Sequence, residues 1–317
     1  LNSNCSFRFI RAGHLLGSSS LVISYHENGE QKTLAFSGDL GNGSNLLELP
    51  PETIDSADAL VVESTYGGRM HEDISTRAEK LVEIIIEATT RGGTVLIPSF
   101  AVGRTQEIIF ELNHFIKNHP DQRSDLLRHI PIYIDSPLAL EATKIYESHI
   151  SFMSEAVQEF AGAPFKMENL HLVTSIEGSI ALNHNPQPKV IISASGMCEA
   201  GRITHHLKHN LWRANTHLVF IGYQAEGTIG RQILDGAQSI KILDVDVRVG
   251  ARIHDLHGFS GHADEKHLLN WIAPIQGLKH IFVNHGEEES RAALTEKIKK
   301  FDNAEIHLPK LGEIYTI

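Results

Sequence analysis

With 317 residues, 41% of them hydrophobic, the chain is long for one compact domain and comfortable for two. No apolar run approaches the roughly 20 residues of a membrane-crossing helix. Two distant cysteines, Cys5 and Cys198, exclude a disulfide framework or a cysteine zinc site and suit a reducing, cytoplasmic setting. A formal net charge of −11 excludes a uniformly basic surface for nucleic acid, leaving a local basic cleft or one made positive by metals. The opening LNSNCSF has no basic n-region, no apolar h-region and no initiator Met, which reads as a fragment or a processed chain.

Residues 7–25 (FRFIRAGHLLGSSSLVISY) predict a strand, a small-residue turn and a second strand, with His14 in the turn. A turn histidine either serves chemistry or simply bonds the backbone. Residues 34–41 (LAFSGDLG) repeat the pattern with Asp39, and a lone Gly-Asp there reads first as turn chemistry. Residues 59–68 (ALVVESTYGG) close a β-branched run on Glu63, an acid/base candidate or the support of one. Three successive strands ending in His, Asp and Glu make a pattern.

Thr76 and Glu79 predict a capping box, for a helix whose apolar face runs through Leu81, Ile84, Ile85 and Ala88 and which Gly92–Gly93 stop. Residues 94–109 (TVLIPSFAVGRTQEII) read as buried strand, glycine-bearing loop and helix, with Arg104 beside a loop that could receive an anion. A short strand ends at Asp135, and 140–185 are helical and then mixed. Two further strand–loop–helix units follow, 190–209 with Arg202, His205, His206 and Lys208, and 218–234 with Tyr223, Gln224 and Arg231. Backbone amides at such turns, with arginines nearby, suit phosphodiester oxygens; solvated basic helices are the plain alternative.

Residues 241–253 alternate like a β-hairpin arm and lead to HGFSGHAD (257–264). Residues 281–287 (IFVNHGE) then set His285 at the C-terminal mouth of a buried strand, where α/β folds usually carry chemistry. His262, in the Gly-Ser-Gly-His turn just upstream, gives two imidazole-bearing turns close in sequence.

In this order AGHLLGSS, SGDLG, ESTYG, GFSGHAD and VNHGE resemble the later signature segments of metallo-β-lactamase-fold nucleases carrying a β-CASP domain. IPSFAVGRTQE, YIDSPLA, SASGMCEAGR and GYQAEGTIGR look most like the prokaryotic relatives of the pre-mRNA 3′-end-processing endonuclease. The resemblance implies that His14 ligates one zinc, Asp39 bridges two zincs and His285 ligates the second. It implies that Glu63 orients or shares a proton with His262, and that His262 assists departure of the leaving oxygen. The chemistry agrees: imidazoles and a bridging carboxylate suit zinc, two metals can activate water and clamp a phosphodiester, and a carboxylate-held histidine can protonate a leaving group. His285 favours RNA, because the DNA-repair branch has valine at that point of the motif.

One family segment, His-x-His-x-Asp-His upstream of the His14 motif, is absent: no two of the 20 histidines are separated by one residue. The expectation is therefore an α/β protein with a partial αββα metallo-β-lactamase-like domain (1–90 and 246–317) and an inserted β-CASP α/β domain (91–245), RNA lying in the cleft between them. Zinc is the expected cofactor, two per complete active site and partial or absent in this chain. RNA is the expected partner, held by Ser195, Gly196, Arg202, Gly227, Gly230 and Arg231; no membrane is involved, and a homodimer is compatible. Asp39, Glu63 and His262 are the expected catalytic set of an RNA phosphodiester hydrolase. A catalytically dead RNA-binding scaffold and a non-nuclease hydrolase on the same fold are the alternatives.

Overall fold

A computed structural model of the chain describes residues 4–43, 45–71 and 74–317, with Ile74 and His257 described by backbone alone. The chain begins with β1 (Cys5–Arg11), β2 (Ser19–Glu27), β3 (Glu30–Phe36) and β4 (Ala59–Val62), then α1 (Arg77–Thr90), β5 (Thr94–Pro98), α2 (Arg104–Asn118) and α3 (Gln122–His129). Next come β6 (Ile132–Ile134), α4 (Pro137–Ser148), α5 (Glu155–Gln158), β7 (Leu170–Leu172), α6 (Ile176–His184), β8 (Lys189–Ser193) and α7 (Arg202–Asn210). The remainder is β9 (Thr216–Phe220), α8 (Ile229–Leu234), β10 (Ser239–Ile242), β11 (Val245–Arg248), β12 (Arg252–Asp255), α9 (Glu265–Ile272), β13 (His280–Val283), α10 (Glu288–Ile298) and β14 (Glu305–His307). Among the described residues no helix is long and apolar enough to cross a membrane.

Contacts divide the chain into two units, Leu1–His71 with Gly261–Ile317, and Glu72–Ser260. The first holds a six-stranded sheet in the order β1-β2-β3-β4-β13-β14. Asn28 and Gly29, both at positive φ, form the two-residue turn that folds β2 back onto β3. From β3 onward the pairs are parallel, whereas β1, β2 and β3 are antiparallel. β1 and β3 therefore run in the same direction as β4, β13 and β14, and five C-terminal strand ends share one edge of the sheet. Ile10, Val22, Leu60, Val62, Ile281 and Val283 pack with Leu268, Trp271 and Ile272 of α9 and Leu294 and Ile298 of α10. Each fully buried Leu or Ile contributes about 1.5–3 kcal/mol.

The second unit holds a parallel sheet in the order β12-β9-β5-β8-β6-β7. β5, β8 and β9 are buried along their whole length, as parallel strands covered on both faces must be. This unit is wider than the 91–245 expected from sequence. Its helix α1 packs against α2, α3 and β5, and β12 extends the same sheet by pairing with β9.

Two local expectations are corrected. Thr76 lies in helical geometry (φ −102°, ψ −1°) and makes no side-chain cap bond, because a 3-10 turn, Ile74–Thr76, leads straight into α1. The hairpin is β10–β11, turned by Leu243 and Asp244 at φ 47° and 61°, and β12 leaves it to join β9. Gly250 permits that departure: a Cβ there would lie 2.4 Å from the Trp212 carbonyl oxygen.

Candidate active site

His14 follows β1, Asp39 follows β3, Glu63 follows β4 and His285 follows β13, so one sheet edge delivers all four. Backbone contacts stitch the loops together. The Gly41 amide donates to the Ala12 carbonyl (2.8 Å), Gly13 and Leu40 form an isolated bridge, and Gly41 bridges His262. A Cβ on Gly41 would sit 1.8 Å from the Gly13 carbonyl oxygen, so only glycine permits this approach. The Ala263 amide donates to the Leu40 carbonyl at 2.7 Å, which brings the His262 loop onto the same edge. The His14 and His262 rings consequently lie with centroids 4.4 Å apart.

Glu63 is buried, and its carboxylate is fully engaged. The Leu40 amide donates to Oε1 at 2.6 Å, the Thr65 amide to Oε2 at 3.4 Å, and His262 Nδ1 lies 3.2 and 3.1 Å from the two oxygens. Burial alone would raise the Glu63 pKa, but the hydrogen bond and charge of His262, with the Thr65 and Leu40 contacts, outweigh it and hold the group below the ordinary glutamate value. An ionised carboxylate only accepts, so Nδ1 of His262 carries the hydrogen. Ring chemistry at His262 would therefore pass through Nε2.

His285 adopts φ 46°, in the left-handed region where histidine is tolerated better than most residues. Its carbonyl accepts from the Ser64 amide and the Thr65 hydroxyl, both at 3.2 Å, and Gly286 lies so close that a Cβ would meet Ser64 Oγ at 2.4 Å. This packing fixes an exposed side chain whose Nε2 is 3.4 Å from Asp39 Oδ1. Strained backbone held by its surroundings is common where a side chain must be aimed.

At this edge His14, Asp39 and His262 form one donor group, one ligand atom each within 4.8 Å of the others, with His285 joined through Asp39. The sequence expectation has His285 in the ligand set and His262 outside it; the structure sets a ring nitrogen of His262 in one group with His14 and Asp39, and places His285 against Asp39. Imidazole nitrogens and a carboxylate oxygen are the donor types zinc prefers, so the residues present fit a zinc ion.

Three supporting residues escape the sequence reading. His71 Nε2 lies 2.8 Å from the His262 carbonyl, so that nitrogen carries its hydrogen. Tyr66 packs on His71 with centroids 4.4 Å apart. Asp264 accepts from the His71 amide (3.2 Å) and caps α9 through the His267 amide (2.9 Å). The sequence signal for this cap is an aspartate directly before the apolar-periodic run of α9.

The residues expected to hold RNA lie in the second unit, where several of them also have partners within the chain. Arg202 gives its guanidinium to buried Asp135 (2.6 Å) and to the carbonyls of Val173 and Thr174 (both 3.1 Å). The Ser195 amide donates to Ala200 and the Gly230 amide to Met197. Arg231 Nε meets Asp235 at 2.9 Å in a solvent-facing i,i+4 pair. Arg104, expected beside an anion-receiving loop, is instead buried in an ion pair with Glu107.

A sheet edge that gathers His14, Asp39 and His285 around the Glu63-held imidazole of His262 has the make-up of a metallo-hydrolase site. Residues 105–233 match the Beta-Casp domain, and residues 246–309 match the Zn-dependent metallo-hydrolase RNA specificity domain. The chain belongs to the β-CASP family of metallo-β-lactamase-fold nucleases. It is 39% identical over 311 residues to ribonuclease TTHA0252 of Thermus thermophilus, an alignment covering 97% of this chain and 68% of that protein. An RNase J-like protein of Methanocaldococcus jannaschii is 32% identical over 322 residues, covering 100% of this chain and 72% of its own length. The transcription termination factor FttA of Cenarchaeum symbiosum is 29% identical over 317 residues, and there the match spans 95% of this chain and 47% of the relative.

Proposed function

We propose that this chain supplies part of the metal-binding edge, and the RNA-handling unit, of a zinc-dependent RNA phosphodiester hydrolase. The observation that carries the reading is the Glu63–His262 pair beside His14, Asp39 and His285 on one sheet edge. The ribonuclease names of the relatives and the RNA-specificity description of residues 246–309 support the substrate class.

His14, Asp39 and His285 are the ligands in this reading, for two zinc ions in a complete site. Asp39 lies with His14 in one donor group and against His285, so its carboxylate would share the metals with both imidazoles. A bound metal would supply Lewis acidity toward phosphodiester oxygens. Glu63 stays ionised, accepts from Nδ1–H of His262 and favours its imidazolium form, which gives its Nε2 proton to the departing oxygen and is left as the neutral Nδ1–H imidazole. In the second unit Arg231, with Gly196 and Gly227, contacts phosphate, while Arg202, Ser195 and Gly230 shape the loops that present them. Arginine suits this because its planar fork takes two phosphate oxygens at once.

Cleavage of labelled RNA, compared with hydrolysis of a thioester and a β-lactam by the same intact protein, tests the reading. RNA cleavage that a chelator abolishes supports it. Hydrolysis of the small substrates alone, or RNA binding with no cleavage at any zinc concentration, overturns it.

A further inference from the structure

We propose a second metal site in the first unit, formed by His280, Glu305 and His307 and suited to zinc or another borderline divalent ion. It is separate from the edge that carries Asp39, because His280 opens β13 whereas His285 follows its end.

β13 and β14 pair in parallel, with His280 opposite Glu305 and Phe282 opposite His307. Side chains alternate along a strand, so His280 and Phe282 share a face, as do Glu305 and His307. On that face His280 Nδ1 lies 3.2 Å from His307 Nε2, and carboxylate oxygens of Glu305 lie 3.6 Å from the former and 3.9 Å from the latter. One donor atom from each residue lies within 4.8 Å of the other two. Tetrahedral zinc with bonds of about 2.0–2.1 Å separates neighbouring donors by about 3.3–3.4 Å. The two nitrogens already have nearly that spacing, and the carboxylate reaches it with a small rotation.

The rings are held for this. Phe282 stacks on His307 with centroids 4.6 Å apart, and Tyr315 packs edge-on against both at 5.1 and 5.0 Å. The His280 and His307 side chains are 24% and 14% exposed, while Glu305, at 69%, is free to swing. A hydrogen bond between the two imidazoles is the competing arrangement, one nitrogen donating and the other accepting. A metal ion takes the place of that shared proton. The structural consequence is local: β14 is a three-residue edge strand paired only with β13, and a cross-strand metal would fasten it.

The test is zinc content after dialysis, with cobalt absorption as a second readout, on protein carrying His14→Ala and Asp39→Ala to disable the first cluster. The expected result is about one tightly held ion per chain. Adding His307→Ala should remove it, and Glu305→Ala should weaken it about tenfold or more. Chelation should lower the melting temperature of the double variant but not that of the version also lacking His307. A double variant that holds no metal overturns the proposal, as does a retained ion that survives both His280→Ala and Glu305→Ala. Glu305 is exposed, so its replacement keeps the test valid even if a histidine variant misfolds.

Discussion

Glu63 and His262, 199 residues apart in sequence, meet with His262 Nδ1 3.1 Å from Glu63 Oε2. The pair fixes the tautomer of His262 and directs Nε2 away from the carboxylate. His262→Ala should slow RNA cleavage by roughly 10²–10⁴-fold, the range of a lost general acid, with zinc retained. Glu63→Gln should give a smaller loss, because the side chain keeps its shape but no longer favours the charged imidazole. Zinc stripped by His262→Ala would identify His262 as a ligand instead.

Gly41 is the contact point of the loops bearing His14 and Asp39, with no room for a Cβ beside the Gly13 carbonyl. Gly41→Ala should lower stability by about 2 kcal/mol or more and reduce zinc content, since the loops must separate. An unchanged melting temperature together with full zinc content would show that the loops accommodate the methyl group.

Arg231 and Arg202 should behave differently. An exposed ion pair such as Arg231–Asp235 is worth about 0–1 kcal/mol, so phosphate can displace the carboxylate. Arg231→Ala should weaken RNA binding and flatten its salt dependence by about one ion, leaving zinc unchanged. Arg202→Ala should instead cost about 1.5–3 kcal/mol of stability, because buried Asp135 loses a charged hydrogen bond. RNA affinity insensitive to Arg231→Ala would move the phosphate contact elsewhere.

Asp135 also sets an acid limit. Burial would raise its pKa, but hydrogen bonds from His206, Ser179 and Arg202 outweigh burial and hold it below the ordinary value of 3.8. Its contribution to stability is therefore full above that value and lost as pH falls through the lower native one. Melting temperature measured from pH 6 downward should show this loss, and Asp135→Asn, already destabilised at neutral pH, should lack that component. An identical acid slope in both proteins would contradict the assignment.

The strand ends carrying His14, Asp39, Glu63 and His285 were legible because an apolar run followed by a glycine turn marks them locally. Their convergence is not marked locally and is implied only by the family resemblance, since it depends on β1 and β3 running in the same direction and on Gly41 touching Gly13. Arg202 looked available because its partner Asp135 is 67 residues away in sequence. Nothing in the stretch around 305–307 marks a strand, so His280 and His307 become neighbours only through the register of β13 and β14. The missing cap at Thr76 shows the reverse case: the residues of a capping box were present, but the 3-10 turn before α1 takes the backbone out of cap geometry.

In the proposed site Asp39 is the residue on which both metal binding and chemistry would depend. The most direct measurement is zinc content and cleavage of end-labelled RNA, taken on the same preparation of intact protein with and without Asp39→Ala. The expected result is that zinc at this edge and cleavage disappear together, while circular dichroism stays native and any ion bound by His280 and His307 remains. Cleavage at the unsubstituted rate, or unchanged zinc alongside lost cleavage, would contradict a metal centre built on Asp39.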